Sequence, residues 1–207
     1  MKQSIKLSQN KTHQKNLSEA YSFLANNFMV SNKKDSALFY SKKAISSARR
    51  IKDKSALAEA FNTQAEIYSF FGQLELSVAK NLISLQMAEE SYNIYLLAKY
   101  TREIGKSQKL IYNLNDAEYY FKRSFDYALK IFDKRQMSLA LTNLASVHLE
   151  RDEFSKALNY ISETKKYIKL NRFNSAVLDN LRDYIFVFNE KRLPNNVKNY
   201  GNHIGNQ

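Results

Sequence analysis

The sequence predicts an all-α protein built from stacked helical hairpins. The chain has 207 residues but only four Gly and one Pro, and Pro194, Gly201 and Gly205 all lie beyond residue 190. Most of the chain therefore lacks the turn residues that separate the strands of a sheet. Apolar residues recur at helical spacing, and small residues recur every forty positions. With 44% hydrophobic residues, the chain can bury a core.

The forty-residue period appears as columns, by which we mean positions that lie forty residues apart. The three clearest columns of small residues are Ala25, Ala65, Gly105 and Ala145; Ala37, Ser77, Ala117 and Ala157; and Ala44, Ser84, Ser124 and Thr164. Small side chains let two helices approach closely. The second and third columns are seven residues apart, which is two helical turns on one face. Each forty-residue segment therefore predicts two amphipathic helices.

The same period predicts how the chain is divided. Residues 1–16 form a polar N-terminal segment, residues 17–192 form the helical array, and residues 193–207 form a disordered tail rich in Asn and Gly. The array comprises repeats at about 17–54, 55–94, 95–134 and 135–173, followed by a lone helix at 174–192 that we interpret as a C-terminal cap.

Polar residues at the predicted helix starts suggest N-caps. Asn16, with Glu19 three residues later, and Ser55 are the predicted capping residues. Asp53, Asn93 and Asp133 form a column at the boundaries between repeats.

Aromatic, apolar and small residues recur in a recognisable order within the repeats. They are Tyr21, Leu24, Ala25, Phe28, Ala37 and Ala44, then Phe61, Ala65, Tyr68 and Gly72, then Ile104, Gly105, Ala117 and Phe121, then Leu141, Leu144, Ala145, Ala157 and Ile161. Over about residues 17 to 190 this pattern resembles the tetratricopeptide repeat (TPR). It departs from it in three ways: the period is longer, the repeat-ending Pro is missing, and Gln108 and His148 occupy a column that is normally aromatic.

The resemblance implies a right-handed superhelical α-solenoid of TPR-like hairpins. Such arrays are non-enzymatic scaffolds that bind a protein or peptide in a concave groove on their first helices. The long period resembles bacterial variants, which occur in the sensor or regulatory parts of signalling and transcription proteins.

The groove positions of the family give the candidate binding residues. These are Asn26, Asn62, Glu66, Lys99, Arg102, Lys106, Lys109, Asn143 and Ser146. The asparagines are candidates because a carboxamide can both donate to and accept from a peptide backbone.

The four cations of the third repeat lie three, four and three residues apart and so form one stripe, which only Glu103 interrupts. These like charges repel one another, so we expect that a ligand anion or a neighbouring carboxylate offsets the repulsion. A ligand anion implies a partner of acidic character. The alternative is a solvated basic face in a chain with 32 Lys and Arg residues.

The sequence offers little material for catalysis. It has no Cys, its three histidines are far apart, and it has no Gly-rich phosphate loop. We therefore expect no enzyme activity, no metal and no cofactor, and we interpret His148 as a buried, hydrogen-bonded histidine. Neither a secretory signal nor an apolar run of the roughly 18 residues that cross a membrane is present. This favours a cytoplasmic protein.

Two other functions fit the composition. The net charge of +12 is consistent with nucleic-acid binding through the second helices. The basic residues there are Lys42, Lys43, Arg49, Arg50, Lys122, Arg123, Lys165 and Lys166. Homo-oligomerisation is the other hypothesis, because residues 1–16 are too polar to cap the apolar edge of the first helix.

Overall fold

The computed structural model describes the backbone of residues 2–167 and the side chains of residues 12–167. The predicted cap helix at 174–192 and the predicted tail at 193–207 lie outside these residues. Within the described part of the chain there are eight α-helices and no strand, so the predicted all-α class is confirmed. Each helix in this part of the chain is too short or too polar to span a lipid bilayer.

The eight described helices form four hairpins. The bounds are α1 Lys2–Val30, α2 Lys34–Ile51, α3 Lys54–Phe70, α4 Leu74–Glu90, α5 Ile94–Leu110, α6 Leu114–Lys130, α7 Lys134–Glu150 and α8 Phe154–Lys165. From α3 to α7 each helix has 17 residues. Because three-residue turns join these helices, one hairpin and its following turn take up forty residues.

Every turn between helices contains one residue in the left-handed region of backbone conformation. These residues are spaced by twenty: Asn32, Lys52, Gly72, Tyr92, Tyr112, Phe132 and Asp152. In most of these turns the next residue donates its N–H to a carbonyl five residues earlier, as Gln73 does to Tyr68 at 2.8 Å. This bond is the signature of a Schellman helix end.

The N-caps differ in part from the prediction. The side chains of Asp53, Asn93 and Asp133 accept the N–H three residues ahead, at 3.0, 3.2 and 3.0 Å. Ser55 is therefore not the cap of α3, because Asp53 takes that role. Asn16 is not a cap either, since α1 begins at Lys2 and runs through it.

The described residues divide into two compact units, of which the first ends at Gln136 and the second begins at Met137. In the first unit α1 pairs with α2, α3 with α4 and α5 with α6, while α2 packs on α3 and α4 on α5. The first helices also contact one another, α1 against α3 and α3 against α5. The first helices thus form a continuous layer, as in stacked-hairpin repeats.

The columns of small residues are buried, as predicted. Ala25, Ala65 and Ala145 are fully buried, and Gly105 takes the same position in the third repeat. A Cβ at Gly105 would lie 2.6 Å from Cε1 of Phe121, which is itself fully buried. Only glycine fits between α5 and that ring.

Another pair of columns forms a repeated hydrogen bond between helices. The bonds are Ser84 Oγ to Ala58 O at 2.7 Å, Ser124 Oγ to Ala98 O at 2.7 Å and Ser18 Oγ to Ala44 O at 2.9 Å. In the second and third repeats the serine lies on the second helix of the hairpin and donates to the first helix. In the first repeat the serine lies on the first helix and donates to the second. The buried hydroxyl is therefore satisfied whichever of the two helices carries it.

In the second unit α7 and α8 enclose a small core around Ala145, Ala157 and Ile161. His148 is 2% exposed, its ring stacks on Tyr160 with centroids 5.2 Å apart, and its Nδ1 lies 2.5 Å from Oε2 of Glu153. The predicted buried, hydrogen-bonded histidine is thus observed.

Candidate functional site

An open groove of about 300 Å³ lies in the first unit and is lined by residues of α1, α3 and α5. These are the first helices of three successive hairpins. The three helices are neighbours in one layer. Two residues that lie forty positions apart in the sequence therefore lie on the same face of two neighbouring first helices. The groove is therefore lined by columns of the repeat.

One column in the groove consists of Glu19, Glu59 and Lys99, all three of which line it. A second begins with Ser22 and Asn62. Glu19 and Glu59 are exposed, whereas Lys99 is half-buried with its Nζ 5.3 Å from the centroid of the Tyr100 ring.

A third column brings Asn26 and Glu66 to the groove. Asn62 is 3% exposed, and its Nδ2 donates to Oε1 of Glu66 at 2.8 Å. The amide oxygens of Asn26 and Asn62 are buried and accept no hydrogen bond from any residue that the structure describes. Burying an acceptor without a partner is costly, so these oxygens indicate a place for a donor.

The electrostatic state of Glu66 reflects its burial. Burial raises the pKa of its carboxyl above the ordinary value, and the negative charge of Glu103 raises it further. The hydrogen bond from Asn62 and the charges of Lys99 and Lys106 oppose the rise without cancelling it. A bound cation would stabilise the ionised form.

The basic stripe on α5 is partly neutralised by its own helix. Glu103 is 8% exposed and accepts from Lys106 Nζ at 2.7 Å and from Arg102 Nη2 at 3.1 Å. Burial by itself would raise the pKa of Glu103, but Lys106 and Arg102 outweigh it and hold the pKa below its usual value. Arg102 also donates to Oε1 of Gln136.

Of the two expected ways to offset the repulsion within the stripe, the structure shows the neighbouring carboxylate, that of Glu103. For Arg102 and Lys106 a ligand anion is therefore not needed, and a partner of acidic character stays a prediction.

The predicted site residues are only partly brought together. Asn26, Asn62, Glu66 and Lys99 line one groove. Lys109 lies in the last turn of α5 and is not part of the lining.

Asn143 and Ser146 lie on α7 in the second unit, where both bond to their own helix. Asn143 Nδ2 donates to Leu139 O at 2.9 Å, and Ser146 Oγ donates to Asn143 O at 2.8 Å. A binding role for any of these predicted residues stays a prediction.

Sequence reasoning missed Glu19 and Glu59. Glu19 was interpreted as the partner of a helix cap, and Glu59 was not singled out. Both share a column with Lys99, so extending the forty-residue period from Lys99 toward the N-terminus would have identified them.

The basic residues of the second helices are in two different states. Lys42, Lys43, Arg49 and Arg50 are exposed on α2. On α6, Lys122 pairs with Glu118 at 2.6 Å, and Arg123 Nη2 donates to Tyr127 Oη at 2.8 Å. Among the described residues no three His, Cys, Asp or Glu side chains are grouped so that they could hold a metal ion.

Comparison with known proteins identifies the fold and no more. No protein-family model and no curated protein matches the chain. Among solved structures, the apo form of RapI matches 86% of this chain and 54% of its own, with a TM-score of 0.71 and 14% identity. BtubC from P. vanneervenii matches 88% of this chain and 84% of its own, with a TM-score of 0.69 and 13% identity.

A third similar structure is a Rap protein complexed with competence and sporulation factor, with a TM-score of 0.66 and 15% identity. It matches 84% of this chain and 48% of its own. A signal transduction ATPase with a tetratricopeptide repeat sensor, from Pyrococcus horikoshii, has a TM-score of 0.67. The chain thus has a TPR-like fold, and it spans about half the length of the Rap proteins that it resembles.

Proposed function

We propose that this chain is a non-enzymatic, cytoplasmic module that binds a peptide or an extended protein segment in the groove of α1, α3 and α5. The observation that carries the proposal is the pair of buried amide oxygens on Asn26 and Asn62, which lack donors at the wall of an open groove. An extended peptide supplies backbone N–H donors at such a wall.

We further propose a regulatory or sensory role in a bacterial signalling or transcription system. The support is the fold shared with a Rap protein that was crystallised with competence and sporulation factor, and with the repeat sensor of a signal transduction ATPase. In such a role, peptide binding would change the interaction of this chain with another protein or with a further domain.

The test is to block the groove with one bulky side chain. Ser22 lines the groove on α1, whereas Ser46 is exposed on α2. The chain and the variants Ser22→Trp and Ser46→Trp are each exposed to a displayed library of random twelve-residue peptides, and the melting temperature is measured in parallel.

We expect the native chain and Ser46→Trp to enrich the same peptides. Ser22→Trp should bind them at least about tenfold more weakly, a loss of about 1.4 kcal/mol, with a melting temperature equal to that of Ser46→Trp. Equal binding by the two variants would place the binding surface elsewhere.

Nucleic-acid binding is the competing function, and the exposed cations of α2 favour it. Lys42, Lys43, Arg49 and Arg50 are all exposed on one helix, although the Lys43 ammonium also lies 4.6 Å from the centroid of the Phe39 ring. Binding through them would weaken steeply with salt, because each phosphate contact releases counterions. A titration of duplex and single-stranded DNA and RNA at about 50 mM salt that shows no binding would dismiss this function.

Self-association through the first hairpin is also a prediction. Phe23 and Val30 on α1 are 68% and 74% exposed. Light scattering at two protein concentrations separates a dimer built on this end from a monomeric receptor.

A further inference from the structure

The charge of the groove is opposite to that of the chain. The chain carries a net charge of +12, yet the groove is lined by the carboxylates of Glu19, Glu59 and Glu66 and by a single ammonium group, that of Lys99. Glu59 and Glu66 lie two turns apart on the same face of α3. A locally negative cleft on a strongly basic protein attracts positively charged ligands and repels negative ones.

The hydrogen-bonding groups of the groove are also unbalanced toward acceptors. The hydroxyl groups of Ser18 and Thr63 donate to backbone carbonyls, at 2.9 Å to Ala44 and 3.1 Å to Glu59, so their protons are already used. Nδ2 of Asn62 is used by Glu66. Apart from the Lys99 ammonium and the Ser22 hydroxyl on the wall, the carboxylate oxygens of three glutamates and the amide oxygens of Asn26 and Asn62 are the groups that face a ligand, so acceptors outnumber donors.

The orientation of the Asn62 amide follows from its neighbour. Its Nδ2 faces the Glu66 carboxylate, and the reverse orientation would bring two oxygens together. Oδ1 of Asn62, a groove-lining residue that is 3% exposed, therefore lacks a donor among the described residues. The unpaired amide oxygen of Asn62 is a separate observation from the excess of carboxylates in the groove. It also indicates a ligand that donates hydrogen bonds.

We infer that the groove selects a basic peptide segment, with a Lys or Arg side chain seated between Glu59 and Glu66 and N–H donors directed at Asn62. The inference rests on the proposed function, because it names the chemistry of the peptide that this groove takes. It reverses the acidic character expected from the α5 stripe.

Lysine and arginine side chains suit the site because they are pure donors with a positive charge. Each supplies several N–H groups and no acceptor, so it can satisfy carboxylates and an amide oxygen together. An acidic peptide would add acceptors to a wall that already has an excess of them.

The experiment uses the full chain and a displayed library of random twelve-residue peptides in 150 mM salt, and it scores the charge of the enriched peptides. Enriched peptides are then synthesised, and their affinities are measured by fluorescence anisotropy for the native chain, Glu59→Gln, Glu66→Gln and the control Glu75→Gln. Glu75 is exposed on the second helix α4, so its substitution changes the net charge equally at a distance from the groove. In Glu66→Gln the amide oxygen can still accept from Asn62, which preserves the local structure.

The expected result is an excess of Lys and Arg among the enriched peptides. Their affinity should fall roughly tenfold for Glu59→Gln and for Glu66→Gln, and it should be unchanged for Glu75→Gln. Non-specific electrostatics cannot produce this enrichment, because the chain as a whole repels basic peptides.

Acidic or uncharged enriched peptides would overturn this inference and leave the proposed function standing, as would equal affinities for all four proteins. A library that yields no enriched peptide would overturn both.

Discussion

At the level of single residues, the packing between helices is preserved from repeat to repeat because a substitution in one column is matched by a substitution in the column that it contacts. The third repeat places the large ring of Phe121 where the first has Ser41, and glycine replaces alanine at position 105 opposite that ring. The hydroxyl donors show the same exchange, since Ser18 and Ala44 reverse the roles that Ala58 and Ser84 play one repeat later. In the third repeat the smallest residue thus lies opposite the large ring, and in the hydroxyl pairs one serine is always matched by one alanine.

The Gly105 and Phe121 pair can be tested by a double-mutant cycle. Gly105→Ala forces a Cβ against the Phe121 ring, and such overpacking costs about 1–3 kcal/mol. In a Phe121→Leu background the Cβ has room, so Gly105→Ala should be about 1–3 kcal/mol less costly there. Unfolding by urea for the four proteins measures the coupling. The better helix propensity of alanine is the same in both backgrounds, so strictly additive effects would contradict the predicted contact.

Two carboxyls beside the groove should respond to pH in opposite directions. The pKa of Glu103 is lowered in the folded chain, so its ion pairs stabilise the fold above the ordinary carboxyl pKa and are lost as the pH falls through the lowered value. The pKa of Glu66 is raised, so its contribution is present below the ordinary pKa and is lost as the pH rises through the folded value.

Glu103→Gln should therefore cost roughly 1–2 kcal/mol at pH 7 and less in acid. Glu66→Gln should be nearly neutral in acid and stabilising at pH 7. The measurement is the free energy of unfolding at several values between about pH 3 and pH 7. Differences from the native chain that do not change with pH would contradict both assignments.

At the element scale, the turns explain the length of the period. Helices of 17 residues joined by three-residue turns give a left-handed residue every twenty positions, yet only Gly72 among these residues is a glycine. Tyr92, Tyr112 and Phe132 adopt the same conformation with bulky side chains that are more than 80% exposed. The backbone strain at these positions has no compensating burial.

Replacing such an aromatic residue by glycine should stabilise the fold. In Tyr112→Gly the relief of left-handed strain, about 1–2 kcal/mol, exceeds the entropic cost of glycine, about 0.5–1 kcal/mol. Tyr112 is 83% exposed, so little packing is lost. Thermal unfolding should show a higher melting temperature for Tyr112→Gly than for Tyr112→Ala, which keeps a Cβ at φ 58°. The reverse order would mean that the turn is not in the left-handed conformation.

Most of the helix pattern could be predicted from the sequence, and part of the site could not. The columns headed by Ala25, Ala37 and Ala44 fix which faces pack, because close helix approach tolerates only small side chains there. The start of α3 could not be predicted from residue types, since Ser55 and Asp53 are both good caps and only the backbone decides between them. The neutralisation of Arg102 and Lys106 depends on the side-chain geometry of Glu103, which spacing alone does not give.

At the scale of the whole molecule, charge is unevenly distributed. Exposed cations of α2 contribute to a net charge of +12, while the groove of α1, α3 and α5 is rich in carboxylates. A ligand whose charge complements the groove is therefore positively charged, whereas one that complements the exposed cations of α2 is negatively charged. The two competing functions, peptide binding and nucleic-acid binding, use different helices of the same hairpins.

Peptide binding in the groove requires that first helices, and not second helices, form the binding surface. The most direct measurement is the change in amide chemical shifts of the isotope-labelled full chain when a peptide enriched from the random library is added. We expect the largest changes at Ser22, Asn62 and Lys99, one residue on each of the three first helices. Changes confined to α2, α4 and α6 would contradict it.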